Sequence, residues 1–599
     1  MNIQQSLLRE AAYFKDLDEE AFLAVESQGQ LIEVKCGETL MQQGETTQDA
    51  YILLDGRLRA YHQREGETDQ MLGDIGKGEI VGEMAAIFGS PRNATVVALR
   101  HSTLLQLSST DFLALVQSQK NSSIALSKTI IERSKPSFLP NSRLATVALV
   151  PTQPGIELEV FLGQLTEAIG KYVAVRHLSA HALREAQQQG EYASEAEALE
   201  ALVAESGEHH QLLLFEAEAT WSTWTQAAVA RADKIIWLAD AGQSPVVSSF
   251  ENSVTEACQA LNHAAHELVL LHPSRDQAPD GTRHWLQARH LSRHYHVARN
   301  HIADIQRLAR FLTGNAIGVA LSGGGARSSV QMGVLQALLE GGIPVDIIGG
   351  TSGGALIGGN FAQISDSEEF RPIVEEGQEA FNGTRKLTLP LVSLYTGNRF
   401  TKAIKKLAHG KNIEDLWINF FCLSLSLVKG KLVEHRQGPL WEALRASMAV
   451  NGIVPPLMKN DDCLVDGGLI NACPTDLLAK MGAGKSIAIV ASSKSGIAVD
   501  ASFAPEVSGW DILLKRLNPF HKKKILPSLT TNIVQSIFIA SDHLQYRIFA
   551  DSKVDLFIHP PIDSFNSMDT DATIKLYEFG YEYGLTQVDH WRNQLNITH

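Results

Sequence analysis

Two short stretches, IGVALSGGGARSS (317–329) and VDIIGGTSGG (345–354), limit this chain's fold more than anything else in it. Each is an apolar run ending in a tight glycine turn, and each turn opens a helix-like segment, VQMGVLQALLE after the first and ALIGGNF after the second. Strand, glycine turn and helix, repeated within about 45 residues, is the pattern of parallel strands in an α/β sheet. It brings both turns to the same sheet edge, where open α/β folds place their sites.

The second turn, Gly350-Thr351-Ser352-Gly353-Gly354, fits the GxSxG elbow that pushes a nucleophilic serine out of a turn. A serine hydroxyl needs a base beside it and donors for the oxyanion. A short GxSxG match is also compatible with a plain strand-to-helix turn. The first turn supplies a second observation. Gly323, Gly324 and Gly325 let backbone N–H groups converge on one oxygen, and no GK[ST] follows to make a phosphate loop. An oxyanion hole of Gly323, Gly324, Gly325 and the helix-start amide of Gly353 is therefore expected. Arg327 braces that loop, contacts substrate phosphate or forms a surface ion pair. No late histidine lies in a glycine turn. CLVDGGLINACP instead sets Asp466 after an apolar run and before two glycines, where a carboxylate can approach another backbone closely; an ordinary Asp-Gly turn is the competing reading.

Together these motifs resemble the patatin-like phospholipases, whose pattern is a GGGxR/K loop, a GxSxG serine and a DGG/DGA aspartate. The resemblance implies a Ser352–Asp466 dyad. GNRFTKAIKKL, IEDLWINFFC, GPLWEALRASMAVNGIVPPL and HPPIDSF extend it to the neuropathy target esterase group, over nearly all of residues 12–590. It implies hydrolysis of acyl esters of phospholipids or lysophospholipids. Where the family usually has a glycine and, three residues later, a histidine, this chain has Ser328 and Gln331. That departure makes weakened activity or an altered substrate choice the point to test. A second reading therefore stays open: a cyclic-nucleotide-responsive membrane-binding or scaffold protein with a decayed hydrolase.

The expected architecture is multidomain. Residues 1–138 carry β-like runs (LIEV, AYILL, LRAYH, TLLQL) parted by glycines, the pattern of a small β-barrel or jelly roll. Their resemblance is to cyclic-nucleotide-binding domains. In VGEMAAIFGSPRNATV, Arg92 is expected to pair with a cyclic phosphate and Glu83 with a ribose hydroxyl, while the amides of Gly82, Met84 and Ala85 hold the anion. Asn93 stands where a small residue or threonine is usual, which leaves cAMP against cGMP open. Residues 111–135 read as helix and 134–142 as a linker. Residues 143–305, with TVALVP, QLLLF, KIIWLA and ELVLLH, form a doubly wound, Rossmann-like α/β domain; TQPGIEL lacks the lysine and Ser/Thr of a phosphate loop, so no nucleotide chemistry is assigned to it. Residues 306–599, with a core at about 315–480, form the hydrolase domain.

The net charge of −15 is the wrong sign for a nucleic-acid binder. Five scattered cysteines (Cys36, Cys258, Cys422, Cys463, Cys473) read as reduced thiols. No catalytic cofactor or metal is expected, and His284, His290, His294, His296 and His301 read as core or interface residues. With no apolar leader in MNIQQSLLRE and no apolar run of about 18 residues, a cytoplasmic protein on the inner membrane face is expected. Its contact would run through the basic, aromatic segment 510–524 (Trp510, Lys515, Arg516, Lys522–Lys524) or leave that segment packed on the core.

Overall fold

Alternation of apolar and polar residues builds the N-terminal sheets of the computed structural model, which describes residues 29–35, 37–62, 70–76, 78–99, 102–118, 146–188, 212–261, 264–364, 367–492, 508–510, 529–565 and 569–597. The basic segment 511–528, the linker 134–142 and the rest of the expected helix beyond Ser118 lie outside the described residues. The chain divides into two units: Met1–His272 with Trp285–His294, and Pro273–His284 with Tyr295–His599.

In the first unit, LIEV, AYILL, LRAYH and TLLQL all form strands, in two antiparallel four-stranded sheets. Their inward residues, Leu53, Leu58, Val96 and Leu104 among them, make one core. Thr146–Pro151, Leu212–Glu216, Lys234–Asp240 and Ala265–His272 are parallel strands with helices between them. Their near-continuous apolar sequences are what a sheet covered on both faces requires. Asp233 accepts the Thr146 N–H (3.0 Å) and hydroxyl (2.8 Å) and pairs with Arg57 of the N-terminal sheets at 2.8 Å.

The second unit is built on a mixed sheet. Ile317–Leu321 lies between Ile347–Thr351 and Lys485–Ile489, all parallel. Ile347–Thr351 pairs in turn with Asn419–Ser426, also parallel. Asn419–Ser426 then pairs antiparallel with both Lys431–His435 and Asp462–Asp466. A strand has only two edges. Lys431–His435 fills one along Cys422–Ser426, so Ile347–Thr351 and Asp462–Asp466 must share the other. There Thr351 stands beside Leu423 and Asp466 beside Ser424, the next residue along. The strand leading to Ser352 and the strand ending at Asp466 thus meet end to end.

Two further features fix this sheet. The helix Ser329–Glu340 crosses the helix Thr573–Gln594 so closely that a Cβ on Gly333 would lie 2.1 Å from the Tyr577 carbonyl oxygen and one on Gly580 would lie 2.1 Å from that of Val330. Asp346, fully buried before the Ser352 strand, receives a fork from Arg310 (2.8 and 2.6 Å) and the N–H of Ile317 (2.8 Å). This ion pair ties the starts of two adjacent strands together. Removing one member of a buried, hydrogen-bonded pair strands the other in low dielectric. Asp346→Ala is therefore expected to destabilise the second unit by about 3–5 kcal/mol, seen as an earlier urea transition; an unmoved transition would show that the pair does not hold these strands.

Candidate active site

Ser352 follows Thr351 at the strand end with φ 58° and ψ −126°, a backbone conformation rare for a residue with a side chain. Its neighbours make that bend feasible. A Cβ on Gly350 would lie 2.5 Å from the Gly354 backbone, and one on Gly354 would lie 2.5 and 2.6 Å from the Leu321 and Ser322 carbonyl oxygens. A Cβ on Gly353 would strike Ser328 Oγ at 2.4 Å. The elbow therefore accepts only glycine where it touches the first turn.

The Ser352 hydroxyl donates a hydrogen bond to the Asp466 carboxylate, which also accepts the Gly468 N–H at 2.8 Å. Asp466 is buried, and loss of hydration pushes its pKa up to about 6, while these two hydrogen bonds pull it down. A buried carboxylate facing a hydroxyl is a stronger base than an exposed one, yet is ionised at neutral pH.

Both members are held through their backbones by one segment, Ser447–Ala449. Ser447 Oγ accepts the Ser352 N–H at 2.9 Å, and the Ala449 carbonyl accepts the Asp466 N–H at 3.0 Å. In sequence, Ser447 is a serine without an elbow; nothing there marks it as the acceptor for another serine's amide. Thr351 Oγ1 donates to the Asn471 carbonyl at 2.9 Å, closing the floor.

The expected oxyanion donors need one correction. The Gly323 N–H is committed to the Ala472 carbonyl at 3.0 Å, so Gly323 contributes space rather than a donor. The amides of Gly324, Gly325 and Gly353 have no protein acceptor among the described residues. Gly353 opens the helix Gly353–Phe361, whose first turn carries a partial positive charge. Ser328 lies beside both turns. It is 2% exposed, its hydroxyl has no hydrogen-bond partner among the described residues, and it touches Gly353 and approaches Gly324. Gln331 donates to the Ser322 (3.0 Å) and Ile489 (2.9 Å) carbonyls, clamping the first turn's strand to its neighbour. Arg327 is buried and does not line the cavity, in keeping with a bracing position.

Ser352, Gly353, Gly325 and Ser328 open onto a cavity of about 190 Å³, whose walls include Met332, Leu356, Phe381, Phe400 and Val454. Arg445 backs the wall: it stacks on Phe400, 5.5 Å from the ring centre, and donates to Thr401 (3.0 Å) and the Pro455 carbonyl (2.7 Å). Among the described residues no group of His, Cys, Asp and Glu is arranged to hold a metal. His296 is buried with Nε2 at 2.9 Å from the Glu414 carbonyl.

In the N-terminal sheets, Gly82 has φ 85°, with the helix Glu83–Phe88 behind it. Arg92 is 3% exposed; it donates to the Gly82 carbonyl (3.2 Å) and Thr47 Oγ1 (3.0 Å), leaving Nη2 without an acceptor among the described residues. Glu83 is buried, whereas Asn93 is exposed and its carbonyl meets His62 at 3.2 Å. In the middle sheet, the turn after the first strand has its Thr152 N–H and hydroxyl directed to the Leu238 carbonyl.

Comparison with known proteins agrees with this division. Residues 319–479 match the patatin-like phospholipase family, 143–305 the Neuropathy Target Esterase family P-loop like domain, and 31–119 the cyclic nucleotide-binding domain. The chain is 30% identical to human "Patatin-like phospholipase domain-containing protein 6", across 93% of this chain and 44% of that protein. It is 29% identical to "Neuropathy target esterase sws" of Drosophila melanogaster (92% and 42%) and 28% identical to "Lysophospholipase NTE1" of Coccidioides immitis (94% and 40%). The chain thus spans less than half the length of these relatives. The cyclic nucleotide-binding and patatin-like phospholipase matches are those its motifs led us to expect, while the middle match carries the name P-loop like although TQPGIEL lacks the lysine and Ser/Thr of such a loop.

The raised Asp466 pKa gives a signed prediction. As a base, Asp466 must be ionised, so kcat/KM should rise with pH through an apparent pKa near 6 and level off above it. Stability runs the other way. Below the unfolded pKa of about 3.9 the group is protonated in both states; between that value and about 6 only the folded state keeps its proton, so stability falls as pH rises. Asp466→Asn should therefore be inactive yet no less heat-stable than the parent at pH 8. An active Asp466→Asn would remove Asp466 from the chemistry.

Proposed function

We propose that this chain, with its patatin-like phospholipase domain, is a serine esterase that cleaves acyl esters of phospholipids or lysophospholipids. The observation that carries the reading is the Ser352–Asp466 hydrogen bond, formed at a bent strand end on the wall of an apolar cavity. Ser352 Oγ attacks the acyl carbonyl carbon while its proton passes to Asp466. The carbonyl oxygen becomes an oxyanion, held by the amides of Gly324, Gly325 and Gly353 and by the unpartnered Ser328 hydroxyl. The tetrahedral adduct collapses by breaking its bond to the leaving alcohol, which takes the proton from Asp466. Water, deprotonated by the same carboxylate, then attacks the acyl-serine; the bond to Ser352 Oγ breaks, Asp466 returns the proton to that oxygen, and the fatty acid leaves. The apolar walls suit an acyl chain and exclude the water that would otherwise weaken these charge interactions.

Fatty-acid release from lysophosphatidylcholine and phosphatidylcholine, with fluorophosphonate labelling of Ser352, tests this. Ser352→Ala should lose at least about 10⁴-fold in kcat. Ser328→Gly should lower kcat toward the roughly 10²–10³-fold loss of a missing oxyanion donor, with little change in KM. A folded parent that neither labels nor releases fatty acid would favour the decayed-hydrolase reading instead.

A specific observation also favours an anionic ligand in the N-terminal domain: the buried Arg92 guanidinium with an unused N–H group beside the Glu83–Phe88 helix. We read it as the phosphate contact for a cyclic nucleotide, cAMP or cGMP, acting as a regulatory ligand. By calorimetry Arg92→Ala should weaken such binding about 10- to 100-fold, the value of a charge-assisted pair. Absence of binding to the parent chain at high micromolar nucleotide would refute the reading.

A further inference from the structure

The segment 383–402, GTRKLTLPLVSLYTGNRFTK, runs past the cavity and turns its apolar side chains outward. Leu387 is 71% exposed, Leu389 73%, Leu391 83% and Val392 67%, a denser run of exposed aliphatic residues than any other among the described residues. They do not belong to a loose loop. The Thr388 N–H donates to the Leu394 carbonyl (3.1 Å) and the Thr396 N–H to the Lys386 carbonyl (2.8 Å), with Leu387 bridged to Tyr395. The return arm is bound to the body of the unit: Leu394 and Tyr395 donate to the Gly452 and Ile453 carbonyls at 2.9 and 3.0 Å. This is a hairpin with an apolar tip, Leu389-Pro390-Leu391-Val392, held outward by its own hydrogen bonds.

Its base belongs to the site. Thr384, Arg385, Tyr395 and Thr396 line the same cavity as Ser352. Its charge is also distinctive. Residues 383–402 hold four basic side chains, Arg385, Lys386, Arg399 and Lys402, and no acidic one, in a chain whose net charge is −15. All four are exposed. An apolar tip on a basic collar matches the layering of an anionic lipid surface, with acyl chains beneath phosphates.

We propose that the hairpin Lys386–Thr396 docks the cavity mouth onto an anionic bilayer, with Leu389, Leu391 and Val392 in the acyl layer and the collar at the phosphates. The inference rests on the esterase reading for its purpose, since it lets an acyl chain pass from membrane to cavity without crossing water. It adds a hairpin beside the site to the membrane contact expected at 510–524, most of which lies outside the described residues.

The test uses the full chain and sedimentation with vesicles of phosphatidylcholine containing roughly a quarter phosphatidylglycerol. The parent should co-sediment, less so at high salt. Leu389→Glu with Leu391→Glu should lower the partition coefficient at least tenfold, and Leu391→Trp should raise it. Turnover of a water-soluble short-chain ester should be unchanged in both variants, because neither residue lines the cavity. A parent that does not co-sediment, or a double glutamate variant that binds as the parent does, overturns the proposal. So does a parent dimer in analytical ultracentrifugation that the double variant converts to monomer, since the tip would then cover a second copy. If vesicles bind as expected but no ester is turned over, the docking stands and the esterase reading fails.

Discussion

Two peptide turns can share a sheet edge at contact distance only if no side chain stands between them, and the contact of Gly354 with the Leu321 and Ser322 carbonyls is where that condition is met. Everything in the candidate site follows from it. The first turn can then lie beside the helix that Gly353 opens, so Gly325, with its open amide, comes near Gly353. It also fixes Ser328 in the seam, where the hydroxyl has a cavity in front of it and no acceptor behind it. A methyl group on Gly354 would stand 2.5 and 2.6 Å from these two carbonyl oxygens, so the turns could not keep their contact.

The second constraint is electrostatic. A carboxylate that serves as a base must be dry enough to want a proton and polar enough in its surroundings to lose one near neutrality. Burial supplies the first condition at Asp466, and the Ser352 hydroxyl and Gly468 N–H supply the second. The two effects oppose each other, and burial wins, which is the sign a general base requires. In the proposed dyad the meeting of two strand ends beside Leu423 and Ser424 sets the separation of Ser352 and Asp466.

Much of this was legible in the sequence. GGTSGG and LVDGG announce close backbone approach, because glycine is the residue that permits it, and the short apolar runs place both on strands. The strand-by-strand reading of LIEV, AYILL, LRAYH, TLLQL and TVALVP also matches the sheets found. What the sequence hid depends on register and partners at long range. Which glycine amide is spent is decided by Ala472, about 150 residues after Gly323. Ser447 is an acceptor only because its helix ends 2.9 Å from the Ser352 amide. The leucines of LTLPLV look like core residues, since apolar character alone does not say which way a hairpin faces. Gln331 looked like a lost histidine and is instead a two-carbonyl clamp.

The segment from Ser447 to Pro455 brings these levels together. Ser447 and Ala449 hold the backbones of Ser352 and Asp466, while the intervening Met448, together with Val450, faces the cavity. Gly452 and Ile453 then hold the hairpin arm, and the Pro455 carbonyl anchors the Arg445 that stacks on Phe400. One short stretch thus contacts Ser352, Asp466, the cavity wall and the hairpin proposed to meet the lipid. The stretch SMAVNGIVPP contains no charged side chain, in keeping with a part played through its backbone and its apolar side chains.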